Sequence, residues 1–171
     1  RNPWRIAIGP SNGDVWIGDV GQGMYEEVDV VRAGTSGQNF GWAVFEGPAC
    51  FTEDPDGNAG CDSPGDYVAP VVAYDRQGTG QCSVIMGGVY RGTCMPDMVG
   101  RVFFGDYCSG EVRSFPASTN QLDYSATTDH TSDVDPSGLL YGRISSFGVD
   151  GYGELYVAAL QAGAVYRIEV E

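Results

Sequence analysis

The sequence predicts an all-β fold of antiparallel strand meanders arranged as β-propeller blades, about three of them. Three observations predict it: a short motif occurs three times, each copy sits inside a three-strand pattern, and helical periodicity is nearly absent. Gly13-Asp14-Val15-Trp16-Ile17-Gly18-Asp19 returns as Gly100-Arg101-Val102-Phe103-Phe104-Gly105-Asp106. It returns more faintly as Gly153-Glu154-Leu155-Tyr156-Val157-Ala158-Ala159. Each copy has a turn glycine, a charged residue and a short apolar, aromatic run, which reads as a buried strand.

The flanks repeat as well. Apolar segments precede the copies at Arg5 to Gly9, Val84 to Arg91 and Ile144 to Val149, and alternating segments follow from Glu27, Glu111 and Ala164. Three strands in a meander, three times, is the pattern of propeller blades. The blades are expected at about 1–46, 69–116 and 141–171. The stretches 47–68 and 117–140, rich in Gly, Pro, Asp, Ser and Thr, are expected as long surface loops. Propellers usually close with about four to eight blades. Three leave two sheet faces without a neighbour, so the chain is expected to need a partner, either a missing N-terminal half or a second copy of itself.

Composition limits the function classes. The chain has 171 residues, enough for one ordinary domain, with 42% apolar and 12% aromatic residues and 26 Gly. All nine basic residues are Arg; against 23 acidic residues they leave a net charge of −14. Such a surface repels nucleic acid and anionic membranes. No segment has the apolar length to span a bilayer. The start, Arg1-Asn2-Pro3-Trp4, reads like the interior of a domain, with no signal peptide. Five cysteines set among Gly and Asp favour disulfides over zinc, and so a secreted or periplasmic location.

Strand geometry orders the cysteines. If Val84 to Arg91 and Arg101 to Asp106 form a hairpin, Cys82 returns opposite residues 108–110. Cys94 then lies about 27 Å away at the other end, beyond the ~7 Å Cα separation a disulfide tolerates. Cys82–Cys108 is therefore expected. Cys50 and Cys61 bracket an acidic loop and pair with each other, and Cys94 is left over, free or intermolecular.

Several ordered motifs resemble one family. Arg1-Asn2-Pro3, Asp14 to Gln22, Glu26 to Val31, Asn39-Phe40-Gly41-Trp42, Gly87 to Gly92, Gly105 to Gly110 and Ile144 to Gly148 resemble the soluble glucose/sorbosone dehydrogenases. The Hedgehog-interacting-protein-like branch of that family shares the same motifs. The resemblance runs from 1 to 171, with 47–68 and 116–140 unmatched. It implies a six-bladed propeller in which aldose sugars are oxidised by pyrroloquinoline quinone (PQQ), held with calcium, and it matches the C-terminal half only.

The resemblance also implies site residues. Arg1 and Asn2 fall on positions that touch the quinone. The other reading of Arg1 is a residue at a strand start, paired with an acidic neighbour. Main-chain oxygens of Gly21, Gln22 and Phe40 and the side chain of Glu27 fall on calcium ligands; the other reading leaves Glu26 and Glu27 as solvated strand ends. The family's Lys is replaced by the loop Cys108-Ser109-Gly110. Its basic histidine lies outside the matched half, and His130, the one His, is expected as an exposed, non-catalytic loop residue. Asp54-Pro55-Asp56-Gly57-Asn58 with Asp62 looks like a weak calcium loop or, more plainly, an acidic turn. Two functions remain open. One is the C-terminal half of a PQQ-dependent aldose dehydrogenase, inactive alone. The other is a non-catalytic extracellular propeller for binding, with a sugar among its possible ligands.

Overall fold

In the computed structural model, which describes residues 1–51, 61, 67–135, 137–138, 140 and 143–169, every copy of the motif is the second strand of an antiparallel sheet. The first sheet contains β1 (Pro3–Ile8), β2 (Val15–Asp19) and β3 (Tyr25–Val31). A small hairpin, β4 (Phe45–Glu46) and β5 (Ala49–Cys50), follows, and β6 (Val72–Asp75) then completes the sheet in the order β1-β2-β3-β6. The second sheet contains β7 (Val84–Val89), β8 (Arg101–Asp106), β9 (Val112–Pro116) and β10 (Thr128–Asp129), in the order β10-β9-β8-β7. After the short helix α1 (Thr131–Val134), β11 (Ile144–Val149), β12 (Leu155–Ala159) and β13 (Ala164–Arg167) make a three-stranded third sheet.

Two strands depart from the expected three-strand pattern. β6 lies in the stretch assigned to the second unit but adds to the first sheet, and β10 lies in a stretch expected as loop. Each is too short to show period-two alternation.

The three sheets stack, and strand alternation decides which core each residue enters. On β7 and β8, Val84, Met86, Val102 and Phe104 meet Trp16, Val28, Val72 and Tyr74 of the first sheet. Their neighbours Ile85 and Phe103 point the other way and meet Ile144, Phe147, Leu155 and Val157 of the third. The second sheet is therefore apolar on both faces, which is why β7 is buried along its whole length. A bulge between Met86 and Gly88 shifts the register, so that Met86 and Val89 both reach the first core.

Close approach explains one glycine in each of two motif copies. A Cβ on Gly18 would lie 3.1 Å from the Met86 nitrogen, and one on Gly105 would lie 3.1 Å from the Phe147 ring. Among the described residues no sheet covers the outward face of the first sheet, and Trp4, Ile6 and Ile8 of β1 are exposed there.

The structure contains disulfides Cys50–Cys61 and Cys82–Cys108, with Cα separations of 5.9 and 5.6 Å, and Cys94 is a free thiol. The acidic loop residues Asp54 to Asn58 and Asp62 lie outside the described residues. His130 corrects an expectation: it is buried, not exposed. Because β10 pairs with β9, the polar segment around His130 folds back onto the sheet. There the imidazole stacks on Phe103 and its Nε2 lies 2.7 Å from Ser114 Oγ.

Two predictions follow from these contacts. Replacing Cys82 with Ser should cost about 2–5 kcal/mol in urea unfolding, and without reductant Cys94 alone should react with an alkylating agent. Two groups should also each make an acid-labile contribution, set against the gain from Glu26 and Glu27, both raised to about 7, as pH falls from about 7 to 4.5. Burial, with the Arg101 charge, holds His130 below its ordinary 6.5, so its own contribution drops as pH falls through about 6.5. Hydrogen bonds from Tyr90 Oη and from the Thr93 and Cys94 amides hold Glu154 down to about 2. Its contribution is therefore full above about pH 4.5 and is lost as pH falls towards 2. The difference in urea midpoint between parent and variant, followed from pH 8 to 2, should show the first loss for His130→Gln and the second for Glu154→Gln.

Candidate metal site

The site sits at the end of β2 and the start of β3, where the strands turn through Gly21-Gln22-Gly23. Asp19 ends β2 directly opposite Glu27 of β3, which puts both carboxylates on the outward face of the first sheet. Asp29 is two residues further along β3 on the same face, opposite Ile17. The loop from Gln38 to Trp42 and the β4–β5 hairpin bring Phe40, Trp42 and Glu46 over the turn.

Glu46 organises the turn. Its Oε1 accepts hydrogen bonds from the amides of Gln22, Gly23, Met24 and Tyr25 at 2.7, 2.8, 2.9 and 3.2 Å. Burial pulls this carboxyl upward, but the four donors outweigh it and hold it below the usual range. Its Oε2 is buried with no hydrogen-bond partner among the described residues. No motif in the sequence pointed to Glu46; only folding brings it to a turn some twenty residues earlier.

Glu26 and Glu27 are not solvated strand ends. Both are buried, and burial pushes each up to about 7. Glu26 faces the first core, where it pairs with Arg76 at 3.0 Å and accepts the Val84 amide at 2.9 Å. Glu27 faces outward, accepts the Gly47 amide, and feels the added charge of Asp19 and Glu46. Arg1, Asp19, Gly21, Glu27, Phe40 and Glu46 line one small cavity of about 10 Å³, room for a single water-sized sphere.

Of the residues singled out in the sequence, Arg1, Gly21, Glu27 and Phe40 come together at this cavity. Gln22 and Asn2 do not line it. The Gln22 amide is turned to Glu46, and Asn2 binds Asp19 Oδ1 through its amide and the Val20 amide through its carbonyl. Arg1 does not reach a carboxylate with its Nη1, which donates to the carbonyls of Val20 and Gly21 at 2.9 and 2.5 Å. Its guanidinium lies 5.7 Å from the centre of the Trp42 ring. The acidic neighbour expected for Arg1 is met by its backbone nitrogen, 2.9 Å from Asp19.

Among the described residues, the ligand atoms of Cys82, Asp106 and Cys108 also lie within 4.8 Å of one another. The disulfide uses both sulfurs, and Asp106 accepts amides on either side of it, from Cys82, Ser83, Cys108 and Ser109. This is a structural knot.

No protein-family model matches the chain. It is 32% identical to the HIPL1 protein of Arabidopsis thaliana over 187 aligned positions, which cover 98% of this chain and 26% of that protein. The HIPL2 protein of the same plant is 29% identical with the same coverage. The backbone is similar to that of the PQQ-bound aldose sugar dehydrogenase from Streptomyces coelicolor, with a TM-score of 0.59 and 15% identity over 97% of this chain and 42% of that one. A glucose dehydrogenase gives 0.64 and 18% over 100% and 44%. The chain is similar in sequence to the HIPL proteins and shares the propeller fold of the sugar dehydrogenases.

Another member of this propeller fold, the calcium structure of the family AA12 carbohydrate-active enzyme from Trichoderma reesei, has a TM-score of 0.59 and 13% identity over 100% of this chain and 52% of that one. These likenesses show the propeller fold, and the three unclosed sheets are its blades. The chain spans about a quarter of the length of its HIPL relatives. Glu46→Ala should cost about 3 kcal/mol or more in urea unfolding, because four turn amides lose their acceptor together. Glu46→Gln, which keeps one acceptor oxygen, should cost less.

Proposed function

We propose that this chain is the calcium-holding part of a secreted, sugar-dehydrogenase-like propeller and does not oxidise sugar by itself. The observation that carries the reading is Glu46 Oε2. It is a buried carboxylate oxygen without a partner, at a cavity of single-ion size that Glu27, Gly21 and Phe40 also line. Calcium takes several hard oxygen ligands, from carboxylates and turn carbonyls alike. Glu27 and Glu46 supply the charge, and the Gly21 and Phe40 segments supply main-chain oxygen. Gln22 and Glu46 are also joined by a hydrogen bond, so a calcium ion would tighten the turn as a unit.

The same residues fit the quinone less well. Arg1 holds main-chain carbonyls, and its surroundings are the carboxylates of Asp19, Glu27 and Glu46, which oppose an anionic cofactor unless a cation lies between them. Quinone chemistry, where the full protein performs it, would rest on groups in the rest of the chain. A location outside the cytoplasm is supported by the two disulfides. No helix among the described residues is long and apolar enough to cross a membrane. The uncovered apolar face of β1 supports a partner in the missing N-terminal half. A second reading, a non-catalytic binding propeller, is favoured by the loop after β8, which is tied down by Cys82–Cys108 and Asp106.

Thermal melts test the reading. Calcium in place of chelator should raise the midpoint by mass action, and Glu27→Gln and Glu46→Gln should each remove most of that gain. An unchanged midpoint in the parent, or a full response in both variants, would overturn the assignment. Added PQQ and glucose should give no turnover with this chain alone; turnover would refute its catalytic incompleteness.

A further inference from the structure

A second, larger cavity of about 500 Å³ adjoins the small one on the outward face of the first sheet, lined by Asp29, Gln38, Asp19, Arg1, Phe40 and Trp42 among others. Asp29 is 1% exposed, and among the described residues neither of its carboxylate oxygens has a hydrogen-bond partner. Gln38 Oε1 is likewise buried and without a partner. The Gln38 amide is oriented by its Nε2, which donates to Thr35 Oγ1 at 3.3 Å, so the oxygen is the end left over. One cavity thus carries three buried acceptors and no donor that meets them.

A buried carboxylate costs several kcal/mol when nothing compensates it. Acceptors left unpaired together require a donor or a cation in common, since each unsatisfied oxygen is costly. Protonating Asp29 would add one donor and leave the remaining oxygens unmet. A hard cation in the cavity that Asp29 and Gln38 both line would answer this deficit. We infer that Asp29 and Gln38 form a second cation site, of the calcium class, beside and independent of the one proposed at Glu27 and Glu46.

The site has hard oxygen donors of the kind calcium selects, and the neighbouring carboxylates of Asp19 and Glu27 add to the attraction. It lies at the border between the described acids and the apolar stripe of Trp4, Ile6 and Ile8. A cation here would neutralise the one charged patch on a face that is otherwise apolar, and so prepare that face for packing.

The test uses the full-length chain, with calcium as the probe and three variants. Equilibrium dialysis should find one calcium fewer per chain in Asp29→Asn than in the parent. Gln38→Glu, which adds ligand charge, should tighten calcium binding by roughly tenfold or more, a gain that misfolding cannot imitate. Thermal melts should change sign. In chelator Asp29→Asn should melt above the parent, because it removes an uncompensated charge, and in saturating calcium the parent should overtake it. Glu27→Gln, run in parallel, should lose a different calcium and leave this one bound.

Undiminished stoichiometry in Asp29→Asn, or a variant that melts above the parent at every calcium concentration, overturns the inference. The second result would mean that a basic side chain of another segment, or a proton, satisfies Asp29 instead. If Glu27→Gln loses its calcium while Asp29→Asn keeps the full number, the site at Glu27 stands and this one falls. The converse result refutes the Glu27 site alone.

Discussion

Buried carboxylates bonded to main-chain amides are the interaction on which this structure depends, because they join segments that hydrophobic packing alone would leave free to slide. Glu26, from the first sheet, accepts the Val84 amide at the start of the second. Glu154, at the entry to β12 of the third, accepts the Thr93 and Cys94 amides of the loop that joins β7 to β8 within the second. Asp106 gathers the chain on both sides of the Cys82–Cys108 bridge, and Glu46 gathers the turn between β2 and β3. Apolar burial is non-directional, whereas a charged acceptor fixes the position of each amide it meets. The sheets are pressed together by their cores and indexed by their acids.

That division also explains what could be read before folding. The motif around Trp16, Phe103 and Val157 announced the strands because apolar alternation is written in consecutive residues. The cysteine pairing followed because a hairpin converts sequence distance into length along a strand. Gly21, Glu27 and Phe40 come to line one cavity because they lie in one turn, the strand after it and the loop that follows that strand. Glu46, Asp29 and Gln38 were invisible for the opposite reason. An acid at a strand position looks solvated until the covering loop is known, and the signal that makes these residues distinctive is a missing partner. His130 failed in the same way: Thr, Asp and Ser around it suggested solvent, while two residues of β10 were enough to turn it inward.

The acidic composition takes on a specific meaning in this light. With a net charge of −14 and nine arginines, the chain has few cations to distribute. Arg76 is committed to Glu26, Arg32 to Asp14, and Arg113 to Asp129. The outward carboxylates of the first sheet are left to Arg1 and to whatever comes from outside. Charge that is surplus on an open surface becomes demand in a covered one, and the loop from Gln38 to Trp42 is what covers it.

The glycines of the motif carry one more consequence. Gly18 and Gly105 leave room for the next sheet to approach within contact of the backbone, and the third copy of the motif has Ala158 at the corresponding place, on the same face as the exposed Val165. The stack therefore has a direction, with a snug side and a looser terminal side that are not interchangeable. Its two ends differ as well, one bearing Trp4, Ile6 and Ile8 and the other Ala158 and Val165. Like ends would not mate by the geometry that joins the sheets internally. Any continuation of the stack that keeps this geometry must run head to tail, a vectorial growth rule written into a single methyl group.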